Sequence, residues 1–264
     1  MPDLIARCVA QWDLTVLPAF EPGGDASWTA PVELSGGELA VLKLAVPTPE
    51  PHDHSAALRA WAGRGAVRLF AHDAAIRASL LECCVPGTDA ADLAPDDADE
   101  IAVEVLPQLW AAELPASSDV QPLATLGAQR ARLMEARAER FGGGADIGLF
   151  REAARMYTCL LAVPRRVLLH GDFHPRNVLR SEWGWLAIDP LPRLGDPSFD
   201  AATFLKDEPV NVARVDALSD RLGLDPQRMR GWLFALTVQA ASWHLAAGDR
   251  AKYDAYRSAA SVLW

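Results

Sequence analysis

Hydrophobic and polar positions change their spacing near residue 82, and this change divides the chain into two parts. Before it, β-type segments are separated by Gly, Pro and Asp, which predicts five strands at residues 14–20, 28–34, 39–46, 66–71 and 76–82. Two helices are predicted beside them, an amphipathic one at residues 4–12 and another at residues 54–62.

After residue 82 the spacing is mainly helical. Long helices are predicted at residues 96–113, 122–141, 147–162, 225–247 and 250–263. A run of three glycines, Gly142 to Gly144, is expected to stop the second of them. Two short strands are expected between the helical blocks, at residues 167–169 and 185–188. Strands first and helices second predict an α+β fold with a boundary near residues 83–87.

Composition narrows the class of protein. The chain has 264 residues, half of them hydrophobic, with 35 acidic against 25 basic residues and a formal net charge of -10. This charge disfavours a nucleic-acid or anionic-membrane binder, although it agrees with a cationic substrate. The four cysteines form neither a CxxC pair nor a disulfide framework, which indicates buried, reduced thiols. With no signal peptide or membrane span in the sequence, we expect a soluble, cytoplasmic protein.

The segment from Val167 to Leu179 carries the strongest chemical signal. An apolar strand leads into a polar loop in which Asp172 and Asn177 stand five positions apart, and a second apolar strand ends at Asp189. Phosphoryl transfer needs a carboxylate for the hydroxyl proton, and an amide oxygen with a second carboxylate to hold Mg²⁺. These three side chains would supply that set if they converged. The alternative is that Asp172 and Asn177 only cap turns.

Two other features have open interpretations. Residues 22–28, which include Gly24 and Ser27, could fold over phosphates with free N–H groups, and a plain hairpin turn is the alternative. His170 and His174 are four apart, as in some metal hydrolases, but that spacing serves a metal on a helix. Gly171 and Pro175 disfavour a helix there.

The motifs resemble the aminoglycoside phosphotransferase family, a branch of the protein-kinase-like fold. His170-Gly171-Asp172 with Asn177 is similar to its catalytic-loop pattern, and Gly195-Asp196-Pro197 with Asp200 to its G-D-P-x-x-D element. Residues 58–61 and 185–190 look like the streptomycin and hydroxyurea kinase group. The resemblance implies a bilobal α+β fold, with a small antiparallel-sheet N-lobe at residues 1–84 and a helical C-lobe at residues 85–264.

The same resemblance implies roles for individual residues. Asp172 would be the catalytic base, and Asn177 and Asp189 the metal ligands. Lys43 looks like the lysine that binds the nucleotide phosphates, and Glu50 is the best candidate for its acidic partner. The backbone around Cys84 would be the hinge that hydrogen-bonds the nucleotide base.

Two further residues of the motifs have implied structural roles. His170 would brace the catalytic loop against the metal strand. Asp200 would support the same loop.

The implied function is a small-molecule kinase that uses ATP or GTP with Mg²⁺. Its acceptor would be a hydroxyl of an antibiotic, with a streptomycin-like aminoglycoside first, and hydroxyurea, a capreomycin- or viomycin-type peptide or an amino alcohol as alternatives. No nucleic-acid or membrane partner is expected. A nucleotide-binding module without catalysis is the alternative from another class.

Overall fold

The computed structural model describes residues 1–20, 27–46, 54–114, 118–141, 146–162, 166–207 and 209–263. Its first part holds a five-stranded antiparallel sheet with the strand order β1-β2-β3-β5-β4. The strands are β1 (Leu14–Val16), β2 (Ser27–Leu34), β3 (Leu39–Ala45), β4 (Leu69–Asp73) and β5 (Ala78–Glu82). Strand β3 lies at the centre of this sheet, between β2 and β5.

The two faces of β3 have different neighbours. Leu42 and Leu44 are buried in a small hydrophobic cluster with Cys8 of helix α1 (Pro2–Trp12). Lys43 lies between them in the sequence, so the period-two alternation of a strand directs it to the opposite face. The central strand therefore presents one lysine on the face away from α1.

The helices come mainly after the sheet and surround a larger hydrophobic core. Their bounds are α2 (Ser55–Trp61), α3 (Pro95–Trp110), α4 (Leu123–Phe141), α5 (Asp146–Cys159), α6 (Pro197–Leu205), α7 (Val212–Leu222), α8 (Pro226–Ala247) and α9 (Arg250–Leu263). Helix α2 precedes residue 84, yet its buried hydrophobic residues belong to this larger core. Trp61 donates its indole N–H to the Leu109 carbonyl at 3.1 Å, which fixes α2 to α3.

Two small antiparallel ladders lie between the helical blocks and position the polar loop. Strand β6 (Val167–Leu169) pairs with β9 (Arg193–Gly195), and β7 (Val178–Ser181) pairs with β8 (Gly184–Ala187). Asn177 immediately precedes β7, and Ile188 immediately follows β8, so the hairpin register places them side by side. The Ile188 N–H donates to the Asn177 carbonyl at 2.9 Å.

Most predicted elements are confirmed within a few residues, and the differences have local reasons. Strand β1 is shorter than predicted because it is an edge strand that pairs with β2 only from Leu14 to Val16. The prediction omitted β7, β9 and α7, which are short or weakly apolar, and the glycine stop at residues 142–144 lies outside the described residues.

The cysteines are free, as expected, but their burial differs from the prediction. Cys8 is buried, Cys83 and Cys84 are half-buried, and Cys159 is exposed. None of the helices in the described part of the chain combines the length and apolar character needed to cross a membrane.

Candidate active site

The loop after β6 depends on a glycine at one position. Gly171 has φ +82°, a left-handed conformation that favours glycine, and a Cβ there would lie 1.9 Å from the Leu191 carbonyl oxygen. The neighbouring His170 carbonyl accepts the Leu191 N–H at 2.8 Å. The loop therefore runs against the segment after β8, with no space for a side chain between His170 and Asp172.

His170 braces the loop against the end of β8, as predicted. Its Nε2 lies 2.9 Å from the Ile188 carbonyl oxygen, and its Nδ1 accepts the Asp172 N–H at 3.3 Å. Burial lowers the pKa of His170 to about 4, which keeps the ring neutral at pH 7 and consistent with a proton on Nε2. Trp61 stacks on the same ring with centroids 6.1 Å apart, so α2 also holds the loop.

Asp200 supports the loop from below. One carboxylate oxygen accepts the Gly171 N–H at 2.8 Å, and the other accepts the His170 N–H at 2.9 Å and the Trp110 indole N–H at 3.2 Å. Asp200 is fully buried in the first turn of α6, whose N-cap is Asp196. Burial raises the pKa of Asp200 to about 6, although the donated hydrogen bonds lower it.

Asn177 and Asp189 lie at neighbouring strand ends. The Asn177 side-chain N–H donates to the Asp172 carbonyl at 3.0 Å, so its amide oxygen points away from that contact. Asp189 has φ +55°, and its Oδ1 accepts from Lys43 at 2.5 Å. An amide oxygen and a carboxylate are the hard donors that Mg²⁺ takes from proteins, with phosphates and water completing its shell. Asn177 and Asp189 therefore provide ligand types that suit Mg²⁺.

The Asp172 carboxylate lies among three other side chains. Its Oδ1 lies 3.2 Å from Lys206 Nζ, and its Oδ2 lies 3.6 Å from His174 Nε2 and 3.5 Å from the Asn177 amide nitrogen. Burial raises the pKa of the Asp172 carboxyl, but His174 and Lys206 together lower it more, so the net pKa is well below its usual range. Asp172 is therefore a carboxylate at neutral pH and able to accept a hydrogen bond.

Lys43 reaches from the sheet to the end of β8. It stands opposite Thr29 on β2 and Ser79 on β5, and its side chain is only 12% exposed. Its ion pair with Asp189 joins the central strand of the sheet to the loop region. The following helix, α2, carries no acidic residue. Among the described residues, the partner of Lys43 is therefore Asp189 rather than a glutamate of that helix.

The other predicted nucleotide-binding residues have mixed outcomes. Glu50 and Gly24 lie outside the described residues. Ser27 is the first residue of β2 and pairs with Ala45, which lies two residues after Lys43 on β3. Cys84 is half-buried after β5, and burial raises the pKa of its thiol to about 12, which makes the thiol unreactive at neutral pH. The predicted role of the backbone around Cys84 is not affected by this.

The geometry disfavours the metal-hydrolase interpretation. His170 to His174 do not form a helix, and both ring nitrogens of His170 are already engaged within the loop. Among the described residues, no group of three or more His, Cys, Asp and Glu side chains is arranged to bind a metal ion.

A sequence profile described as aminoglycoside/hydroxyurea antibiotic resistance kinase matches residues 12–248. The chain belongs to this family. It is 34% identical to a streptomycin 6-kinase of Streptomyces glaucescens, covering 100% of this chain and 89% of that one. It is 36% identical to a hydroxyurea phosphotransferase of Kitasatospora aureofaciens, covering 100% and 78%. Choline kinase LicA from Streptococcus pneumoniae has the same fold, with a TM-score of 0.70, 13% identity and 99% coverage of both chains.

The family and the fold confirm the main predictions from the sequence. The fold is α+β and protein-kinase-like, and the protein is a phosphotransferase that acts on a hydroxyl group. Sequence reasoning assigned no role to Lys206, which contacts Asp172. The available signal was that lysine is rare in a chain that otherwise uses arginine.

Proposed function

We propose that this chain transfers the γ-phosphoryl group of ATP, with Mg²⁺, to a hydroxyl of an antibiotic, and that a streptomycin-like aminoglycoside is its acceptor. One observation supports the proposal most. A continuous set of contacts links Asp172 to Asn177, Asn177 to the end of β8, and Asp189 to Lys43. Phosphoryl transfer requires a carboxylate, oxygen ligands for Mg²⁺ and a phosphate-binding cation, and these residues are of those types.

Asp172 is proposed to orient the acceptor hydroxyl for in-line attack. Its low pKa suits it to hold the hydroxyl by accepting a hydrogen bond, and the proton moves to its oxygen as the new bond to phosphorus forms. His170 and Asp200 maintain the position of the loop through backbone contacts. Most of the rate acceleration then comes from positioning and electrostatic stabilisation.

Asn177 and Asp189 are proposed to hold Mg²⁺, which supplies positive charge against the nucleotide phosphates. Lys43 adds a second positive charge from the face of β3. Its contact with Asp189 means that the same lysine also orients a proposed ligand of the ion. The loop with Gly24 and Ser27, and Glu50 as a partner of Lys43, stay predictions.

The nucleotide is proposed to lie between an N-lobe at residues 1–84 and a C-lobe at residues 85–264. The hydrogen bonds of its base would go to the backbone near Cys84, where the sheet ends. In this position the nucleotide phosphates would lie between β3 and the loop that carries Asp172. We place the reaction in the cytoplasm, where ATP is available.

The acceptor assignment rests on the family and on charge. One relative is a streptomycin 6-kinase and another is a hydroxyurea phosphotransferase, and the alignment with each covers the whole of this chain. The net charge of -10 favours a cationic acceptor over a neutral one. Beside Lys206, Asp207 accepts a hydrogen bond from Tyr256 of α9 at 2.9 Å, which puts a carboxylate and a phenol near the proposed reaction site.

A coupled nucleotide-consumption assay tests the proposal. The full chain is supplied with Mg²⁺ and either ATP or GTP, and with streptomycin, other aminoglycosides, hydroxyurea, capreomycin, viomycin or amino alcohols in turn. We expect consumption that depends on streptomycin. Turnover with hydroxyurea alone would change the acceptor, and nucleotide binding without turnover on any compound would favour the non-catalytic module.

A further inference from the structure

We propose that Lys206 contacts the phosphoryl group during its transfer, from the acceptor side of the site. The inference rests on the proposed phosphotransferase function and adds a catalytic residue to it. In this arrangement Lys43 neutralises the phosphates from the sheet, and Lys206 does so from the helical lobe. The transferred group would pass between two lysines.

The first support is the contact with Asp172. Lys206 Nζ lies 3.2 Å from Asp172 Oδ1, and 23% of the Lys206 side chain is exposed. Asp172 keeps 32% of its own side chain exposed, so this pair lies at an open site rather than in the core. The lysine is held at the carboxylate while both remain accessible to substrates.

The second support is the element that carries Lys206. Helix α6 begins at Pro197, after the N-cap Asp196, and Lys206 is its C-cap residue. The same helix carries Asp200, which accepts the N–H groups of His170 and Gly171. One short, buried helix therefore fixes both the catalytic loop and the base of the Lys206 side chain, as a preorganised site requires.

The third support is distance. A hydroxyl bound to Asp172 lies about 2.7 Å from a carboxylate oxygen, and its oxygen approaches the phosphorus to about 3–3.5 Å before reaction. Nζ is already 3.2 Å from Oδ1, so rotation of the flexible lysine side chain brings it to an equatorial oxygen of the phosphoryl group. Charge spreads over those oxygens in the transition state, where a cation is most effective.

The fourth support is the use of lysine in this chain. Only Lys43, Lys206 and Lys252 occur among its 25 basic residues, and the other basic residues are arginine. Lys43 pairs with Asp189 and Lys206 with Asp172. Lysine is a compact point charge with rotatable donors, whereas arginine presents a rigid planar fork. Lys43 and Lys206 each pair with a carboxylate of the proposed site. As lysines, both can shift from that carboxylate to a phosphate.

The chemical step balances with the groups named. The acceptor oxygen forms a bond to the γ-phosphorus while the bond from that phosphorus to the β–γ bridging oxygen breaks. The electron pair of the broken bond leaves on ADP, and the hydroxyl proton goes to Asp172 and then to solvent. Lys206 donates hydrogen bonds throughout and does not give up its proton.

The experiment compares Lys206→Met and Lys206→Arg with the wild type, and uses Lys252→Met as the control. Lys252 is exposed on α9, and its closest acidic group, on Asp249, is 3.8 Å away. We measure kcat with the acceptor identified by the nucleotide-consumption assay. We also measure the affinity for Mg-ADP alone and for Mg-ADP with aluminium fluoride, which mimics the phosphoryl group in transfer.

For Lys206→Met we expect kcat to fall by about 100-fold or more. Aluminium fluoride increases the affinity of the wild type for Mg-ADP, and we expect this increase to be about 10- to 100-fold smaller in the variant. Affinity for Mg-ADP alone should stay unchanged, which also shows that the variant is folded. Lys206→Arg should recover part of both losses, because it keeps the charge with a different shape. Lys252→Met should match the wild type in every measurement.

Two results would overturn the inference. One is a loss of kcat with the aluminium fluoride effect intact, because Lys206 would then act only on Asp172. The other is an unchanged kcat in Lys206→Met. Neither result affects the proposed function, which instead fails if the wild type shows no acceptor-dependent turnover.

Discussion

Replacing Asp200 by asparagine separates two effects that this buried carboxylate has on the protein. The carboxylate accepts three N–H groups, from His170, Gly171 and Trp110. Asparagine has one acceptor oxygen, which can take the place of the carboxylate oxygen that accepts from His170 and Trp110. Its amide N–H group then faces the Gly171 N–H, which has lost its acceptor. The loss of that acceptor costs about 1–3 kcal/mol of stability.

The lost charge acts in the other direction. The pKa of Asp200 is raised from 3.8 to about 6, because burial outweighs the hydrogen bonds. At pH 7.5 the ionised side chain is thus about 3 kcal/mol less favourable in the folded state than in water. Asparagine avoids this cost. We therefore expect Asp200→Asn to have a free energy of unfolding within about 2 kcal/mol of the wild type at pH 7.5.

The two chains should differ in their response to pH. Because the folded-state pKa is above the unfolded one, the wild type gains stability as the pH falls through 6, and the gain is complete below about pH 4. Between pH 7.5 and pH 5 the gain in the free energy of unfolding is about 1 kcal/mol, and the variant lacks it. Activity should fall by about 100-fold, because the loop under Asp172 is no longer held at Gly171.

The assay is urea unfolding of both chains at pH 7.5 and pH 5, with kcat measured at pH 7.5. Asp92→Asn, at an exposed position, is the control for the loss of one negative charge. Taking differences between chains cancels the titration of all other groups. A wild-type minus variant difference that stays constant between the two pH values, or full activity in the variant, would refute this reasoning.

Two other substitutions test the loop and the sheet. Gly171→Ala should destabilise the protein by about 3 kcal/mol or more and abolish turnover, because its Cβ would lie 1.9 Å from the Leu191 carbonyl oxygen at a left-handed φ; urea unfolding checks this, and unchanged stability would contradict it. Lys43→Met should weaken Mg-ATP binding and lower kcat/KM by about 100-fold. Folding should change little, since among the described residues Lys43 forms one ion pair, with Asp189. Calorimetric titration with Mg-ATP measures the affinity, and wild-type affinity in the variant would exclude a role of Lys43 in phosphate binding.

The sequence was sufficient to predict the parts that depend on local pattern. The predicted bounds of strand β3 and of helices α4 and α8 agree with the structure to within a residue. The catalytic-loop motif indicated which side chains would lie close together, because the residues concerned come directly after two apolar strands. Gly171 is the clearest case, since its position requires both a left-handed φ and the absence of a Cβ.

The parts that were not predicted depend on contacts between distant segments. The contact of Lys206 with Asp172 spans 34 residues, and the contact of Lys43 with Asp189 spans 146. The burial of α2 in the larger core, with Trp61 stacked on His170, also follows from packing rather than from the spacing of residues 55–61. Periodicity specifies which face of an element is apolar, but not which partner covers it.

In the proposed reaction this protein phosphorylates a hydroxyl of an antibiotic, with Asp172 at the reacting group. The most direct measurement is mass spectrometry of streptomycin after incubation with Mg-ATP and either the wild type or Asp172→Asn. We expect the wild type to add one phosphoryl group to streptomycin and Asp172→Asn to add none, although this variant still binds Mg-ADP. Phosphorylated streptomycin from Asp172→Asn at the wild-type rate would exclude Asp172 from the reaction.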